Sequence, residues 1–335
     1  MSDKKAEQKA WLDQVEENII DPERLIVDPH HHLWKVSSLP EYLLEDLWDD
    51  TESGHTIEKT VFIECGAEYK TDGPEHLRPI GETEFVLGEA KRSRGHGKAE
   101  ISAIIGHCDL TMDLVRLTEA LDAHKEAGQG LFRGIRHAGP SDLPGAYGWL
   151  GDAPADLYIQ ADFQRGVAEL GKQGLSYDTW HYHTENKYYA ELARAVPDTV
   201  FIFDHFGTPV RVGPFADKID QVFAQWKDDV AEIAKCENVV AKIGGLAMPP
   251  NGFAWDQRDK PASSDEVAEA HRDYYLHMID CFGPDRCMLE SNFPVDKMSM
   301  SYHVYWNAVK KITAEFSEDE KEKLFRGTAT RIYRL

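Results

Sequence analysis

Cysteine is scarce in this sequence, with five in 335 residues. Cys65, Cys108, Cys236, Cys281 and Cys287 are odd in number, widely separated and never spaced as C-x-x-C. Neither a disulfide framework nor a cysteine-rich zinc knot is therefore expected, and a reducing, cytoplasmic setting fits. Long apolar runs are missing as well. No stretch of eighteen apolar residues occurs, which argues against a helical membrane span. The first twenty residues are charged and lack the apolar segment of a signal peptide. Positive charge is in short supply: 37 Lys and Arg stand against 59 Asp and Glu, a formal net charge of -22. A nucleic-acid partner is not expected, because no basic stripe is present to displace counterions from phosphates. No G-x-G-x-x-G follows the first apolar run and no phosphate loop is found, so nucleotide-type cofactors have no cradle.

What remains is an ordinary globular composition, 42% hydrophobic and 29% charged, long enough to bury a sizeable core. Eight short runs recur along it: "LIVDPH" (25–30), "TVFIECG" (60–66), "ISAIIGHCD" (101–109), "LFRGIRHAG" (131–139), "LSYDTWHYH" (175–183), "TVFIFDHFG" (199–207), "NVVAKIGG" (238–245) and "RCMLESNFP" (286–294). Stretches of 3.6-residue periodicity separate them, as in "TMDLVRLTEALDAHKEAG" and "DEVAEAHRDYYLHMIDCFG". Ser317 and Glu320 have the spacing of a capping box. Strand and helix in eightfold alternation point to a (β/α)8 TIM barrel over residues 25–335, preceded by a helical extension at 1–24. A doubly wound open sheet is the rival. The barrel is preferred because polar residues collect just after every run, where a closed sheet gathers them on one rim. Three connections, 33–59, 138–155 and 244–265, are long enough to cover that C-terminal face.

The first run ends in three histidines. Strand side chains alternate, so His30 and His32 share a direction and His31 points the other way. Two imidazoles at a barrel mouth can ligate a metal, polarise a carbonyl or simply pack beside Trp34. His205 closes the sixth run. His181 is chosen over His183 as the inward residue of the fifth, because it shares parity with Thr179. Arg136 and Arg133 lie on the fourth run, and an arginine fork there suits a substrate carboxylate. Glu64 closes the second run. Lys242, on the seventh, fits either the rim or the barrel interior. Glu290 and Asn292 share parity on the eighth, and an amide at 292 cannot abstract a proton from water.

The spaced set "DPHHHLW … GETEFV … GIRHA … FIFDHFG … VVAKIGGL … DRCMLESNFPVD … LFRGTATRIYRL" resembles the amidohydrolase-related family. Within it, the set is most similar to the branch holding sugar-acid lactonases and 2-pyrone-4,6-dicarboxylate lactonase. The resemblance implies an amidohydrolase-like barrel with His30, His32 and His205 around the reaction centre, holding one divalent ion, usually zinc, or working without a metal. It implies Arg136 as a holder of acidic substrates. It also implies an aspartate where Asn292 stands and a glycine where Glu290 stands. The family's usual base is thus missing, and Glu290 becomes the candidate base. The leading expectation is hydrolysis of a small carboxylate-bearing lactone, ester or amide. Catalytic positions are His30, His32, His205, Glu290 and Asn292; Arg136, Arg133, His181, Glu64 and Trp34 contact substrate. Two other readings stay open: a metal-dependent decarboxylase of a small aromatic or unsaturated acid, and a barrel that binds a metabolite without turning it over. A homodimer is a further expectation, with "YHVYW" (302–306) as one face that could meet a neighbour.

Overall fold

The computed structural model describes residues 2–35, 40–141 and 153–335. Helix α1 (Ser2–Leu12) leads into β1 (Leu25–His31), α2 (Leu44–Thr51), β2 (Thr56–Ile63), α3 (Ile80–Ser93), β3 (Glu100–Gly106), α4 (Leu114–Gly128) and β4 (Phe132–Arg136). The alternation continues with α5 (Ala161–Lys172), β5 (Ser176–Thr179), α6 (Asn186–Ala195), β6 (Val200–Phe203), α7 (Ile219–Ala234), β7 (Val239–Ile243), α8 (Ser264–Phe282), β8 (Cys287–Leu289) and α9 (Tyr302–Ile312). Two short helices, α10 (Glu318–Glu322) and α11 (Thr328–Tyr333), follow. All neighbouring strands are parallel, in the order β1 to β8. Each of the eight apolar runs contributes one strand, and the fold is a (β/α)8 barrel. No helix among the described residues is long and apolar enough to cross a membrane.

The barrel closes just beyond β8. Asn292 N donates to His30 O at 3.1 Å, and His32 N donates to Phe293 O at 2.9 Å. Asp28, on β1, pins the same seam from within: its carboxylate accepts from Ser291 N at 3.0 Å, Ser291 Oγ at 2.5 Å and Tyr302 OH at 2.9 Å. Helix ends follow the local chemistry. Ser263–Glu266 and Ser317–Glu320 form reciprocal capping boxes at the starts of α8 and α10, and α6 stops short of Pro197.

Inside the barrel, Val27, Val61, Ile105, Ile202, Val240 and Met288 form an apolar layer, packed with Ala329 and Tyr333 of α11. Lys242 belongs to this interior. Its Nζ lies 3.1 Å from Asp178 Oδ2 and 3.4 Å from Asp204 Oδ1, and Tyr333 OH donates to Asp178 Oδ2 at 2.6 Å. Arg133 is at the opposite end of β4 from Arg136. Its guanidinium donates to the carbonyls of Tyr333 (Nε, 2.6 Å) and Arg334 (Nη2, 3.4 Å), so it holds the C-terminal segment rather than a substrate. The run at 302–306 also differs from expectation as a docking face. Tyr302, Tyr305 and Trp306 are buried, and Tyr305 OH meets Tyr275 OH of α8 at 3.2 Å.

Of the three long connections, 33–59 carries α2, 244–265 carries two short 3-10 turns, and most of 138–155 falls outside the described residues. Tight contacts between layers use glycine. A Cβ on Gly166 of α5 would stand 2.0 Å from the Leu110 carbonyl oxygen, whereas one on Gly88 of α3 would meet nothing within 4 Å. Gly166→Ala is expected to cost about 1–3 kcal/mol or more in urea unfolding. Gly88→Ala, in an exposed helical position, is expected to add about 0.5–1 kcal/mol.

Candidate active site

The strands end around a cavity of about 1680 Å³ lined by His32, Trp34, Glu64, Arg136, Trp180, His205, Met248 and Asn292, with Lys5 and Gln8 of α1 on its outer wall. That is roomier than the ~300–1,000 Å³ usual for small-molecule sites. Strand parity places the first two imidazoles together. His30 Nε2 and His32 Nε2 are 3.2 Å apart, while His31 turns away to Thr60 Oγ1 at 3.0 Å. His32 Nδ1 faces the Ile63 carbonyl oxygen at 2.8 Å. A carbonyl only accepts, so His32 carries its proton on Nδ1 and offers a lone pair from Nε2 toward His30.

Glu290 lies beneath this pair, fully buried. Its Oε1 is 2.7 Å from His205 Nδ1 in a direct hydrogen bond. Its Oε2 is 2.8 Å from His30 Nδ1, a contact bent away from the ring's N–H direction. The His30 and His205 rings stand 4.4 Å apart between centroids. His205 reaches this position from a left-handed backbone (φ 53°) immediately after β6. Burial drives the pKa values here. It holds His30 and His32 well below the ordinary histidine range and His205 down at about 3, and it pushes Glu290 up to about 8 against the pull of Lys242.

Arg136 donates from Nε to Glu64 Oε1 at 2.8 Å and from Nη2 to the Glu64 carbonyl. Burial opposes its charge, but Glu64 and Asp204 outweigh that and raise its pKa. Part of the guanidinium is left for the cavity that it lines. Asn292 has a left-handed backbone (φ 57°), and its Nδ2 donates to Asp296 Oδ1 at 2.9 Å. Trp34 stacks on His32, rings 6.1 Å apart.

His181 does not join them. It is buried behind the strand, with Nδ1 3.1 Å from Tyr158 OH and Nε2 3.0 Å from Asn186 Oδ1. His181 does share the parity of Thr179, but Thr179 faces outward to Tyr158. The inward set of β5 is Ser176 and Asp178, and Trp180 continues it into the cavity. A lone acid in the middle of the fifth run was the signal that could have fixed this direction. Trp180 and Met248 are among the cavity residues that sequence reasoning missed.

Two donor sets could hold a cation. His30, Asp204 and His205 bring ligand atoms within 4.8 Å of one another, but the Lys242 ammonium 3.4 Å from Asp204 competes for that carboxylate. The facing Nε2 atoms of His30 and His32 fit better. A tetrahedral zinc ion bound at ~2.0–2.1 Å spans roughly 3.4 Å between two nitrogens, close to the 3.2 Å seen.

A sequence model of the amidohydrolase family matches residues 27–335, and the chain belongs to that family. It is 32% identical to protein y4mH of Sinorhizobium fredii over 332 residues, covering 92% of this chain and 98% of that protein. It is 28% identical to L-fucono-1,5-lactonase of Burkholderia multivorans over 240 residues, 71% of this chain and 73% of the lactonase. Among solved structures, a zinc-bound amidohydrolase from Burkholderia multivorans superimposes with a TM-score of 0.73 at 22% identity, covering 93% of this chain and all of that one.

The buried groups set a pH dependence of stability. His31, His124, His181, His205 and His271, like His30 and His32, stay neutral in the fold but take protons when unfolded below about pH 6.5. Stability therefore falls as pH drops from 6.5 toward 4. Glu82, Asp204, Glu290 and Asp296 have folded values raised to about 7–8 and keep protons that the unfolded chain has lost, so they favour the fold less as pH climbs from 4 to 8. The imidazoles named outnumber the acids, and above 6.5 only the acids act. Thermal unfolding midpoints across pH 4–9 are expected to peak between pH 6 and 7.

Proposed function

We propose that the protein hydrolyses a small lactone or ester that carries a carboxylate. The observation that carries this reading is the grouping of His30, His32 and His205, of which His32 and His205 line the cavity that also holds Arg136. Membership in the amidohydrolase family and the similarity to a sugar-acid lactonase support it. In this reading the free part of the Arg136 guanidinium takes the substrate carboxylate, while Glu64 keeps the fork from swinging. Trp34, Trp180 and Met248 provide the apolar walls that exclude bulk water.

His30 and His32 would hold a divalent ion through Nε2; such an ion supplies Lewis acidity toward a carbonyl oxygen. Their neutral state, enforced by burial, is the one that donates lone pairs. His205 has Nδ1 committed to Glu290, which leaves Nε2 for the cavity. As a neutral imidazole it is in the form that can accept a hydrogen bond from water. Glu290 is assigned no contact with substrate, because it lies below the histidines and both oxygens face imidazole nitrogens. Asn292 serves as a fixed polar wall. Its amide cannot act as base, and Asp296 sets its orientation.

A panel of sugar-acid lactones, pyrone carboxylates and matching amides, followed by acid release in a pH-stat with and without zinc, tests the reading. Acid release from carboxylate-bearing lactones is expected. His205→Ala should lower kcat about 10²–10⁴-fold, and Arg136→Gln should raise KM for carboxylate substrates far more than for neutral esters. No acid release from any member of the panel with zinc supplied, or carbon dioxide as the product from an aromatic acid, overturns it.

A further inference from the structure

One carboxylate between two catalytic-side imidazoles is an unusual use of a buried acid, and two further features of the chain are built around it. The first is the glycine pair that ends the seventh strand. A Cβ on Gly244 would stand 2.5 Å from Glu290 Cγ and 2.1 Å from Glu290 O; one on Gly245 would stand 2.4 Å from His205 Nδ1. Each glycine thus clears room for one partner of the Glu290–His205 contact. The second is the backbone of Glu290, whose carbonyl accepts from Tyr305 OH, while the next residue, Ser291, is held by the Asp28 carboxylate. Residue 290 is anchored from two sides, and its side chain reaches both Nδ1 atoms.

We propose that Glu290 is a positioning residue, a single carboxyl group that lies against His30 and fixes the orientation and tautomer of His205 by engaging its Nδ1. This rests in part on the hydrolytic reading, which supplies the reason for wanting His205 Nε2 free, but the arrangement itself stands without a substrate. It also accounts for the amide at 292. The carboxyl group of this site lies against the imidazoles instead of at position 292. A merely space-filling role would require neither two nitrogen contacts nor the two clearances at 244 and 245.

Side-chain ¹⁵N NMR of the histidines in the full-length protein tests this without substrate or ion. In the wild type, His205 is expected as a single Nδ1–H tautomer. Glu290→Met keeps the volume but offers no acceptor, and His205 should then show a mixture of tautomers. Glu290→Gln keeps one oxygen that can accept, so it should restore Nδ1–H on His205. A wild-type His205 carrying its proton on Nε2 overturns the proposal, and this measurement stands even if a variant fails to fold. So does an unchanged single His205 tautomer in Glu290→Met. Loss of hydrolysis with the NMR pattern intact would instead count against the assigned activity alone.

Discussion

The seam between the first and eighth strands is the constraint on which the site depends. β8 is only three residues long, so little ladder is available to close the barrel. Closure comes instead from residues just past its end, where Asn292 and Phe293 exchange backbone hydrogen bonds with His30 and His32. The Asp28 carboxylate, buried with three donors from Ser291 and Tyr302, keeps the two chains in register. A slip of one residue would turn every side chain on the seam to the opposite face. His30 would leave its place against His32 and His205, and Glu290 would leave its place beside them. Architecture and chemistry share the same few hydrogen bonds.

Much of the barrel could be read before any coordinates, because a buried parallel strand demands a short β-branched run and its crossover helix demands 3.6-residue periodicity. All eight runs became strands. The direction of His30 and His32 followed from alternation alone. The same rule misled at the fifth strand, since alternation says which residues share a face and not which face is inside. There Asp178 points to Lys242 and carries the inward set, so His181 ends among Tyr158 and Tyr189. Arg133 and Arg136 are three residues apart on an extended strand, about 10 Å. One therefore serves the C-terminal segment and the other the cavity. Sequence spacing named both, but only the position along the strand separates them. Glu290 was found by parity with Asn292, but its depth beneath the imidazoles is a product of packing against Gly244.

The overall negative charge conceals an inner arrangement of another kind. Lys242 and Arg136 are cations buried in or above the barrel, each held by acids from neighbouring strands. Isolated, either would be too costly to bury; paired, each keeps its charge. Arg136 is the one that lines the cavity. An anionic group that passes the lysines of the outer wall thus meets a further matching charge at the depth of Glu64 and His32.

The glycines at 244 and 245 have a consequence for how this chain can diverge. The carbonyl of residue 290 and the Glu290 side chain both need the space that Gly244 leaves, and a left-handed imidazole at 205 needs the space left by Gly245. Neither position can drift by itself. Shrinking the side chain at 290 would not release Gly244, because the nearer obstacle is the backbone carbonyl of the neighbouring strand, so the glycine outlasts any change of the acid that it accommodates.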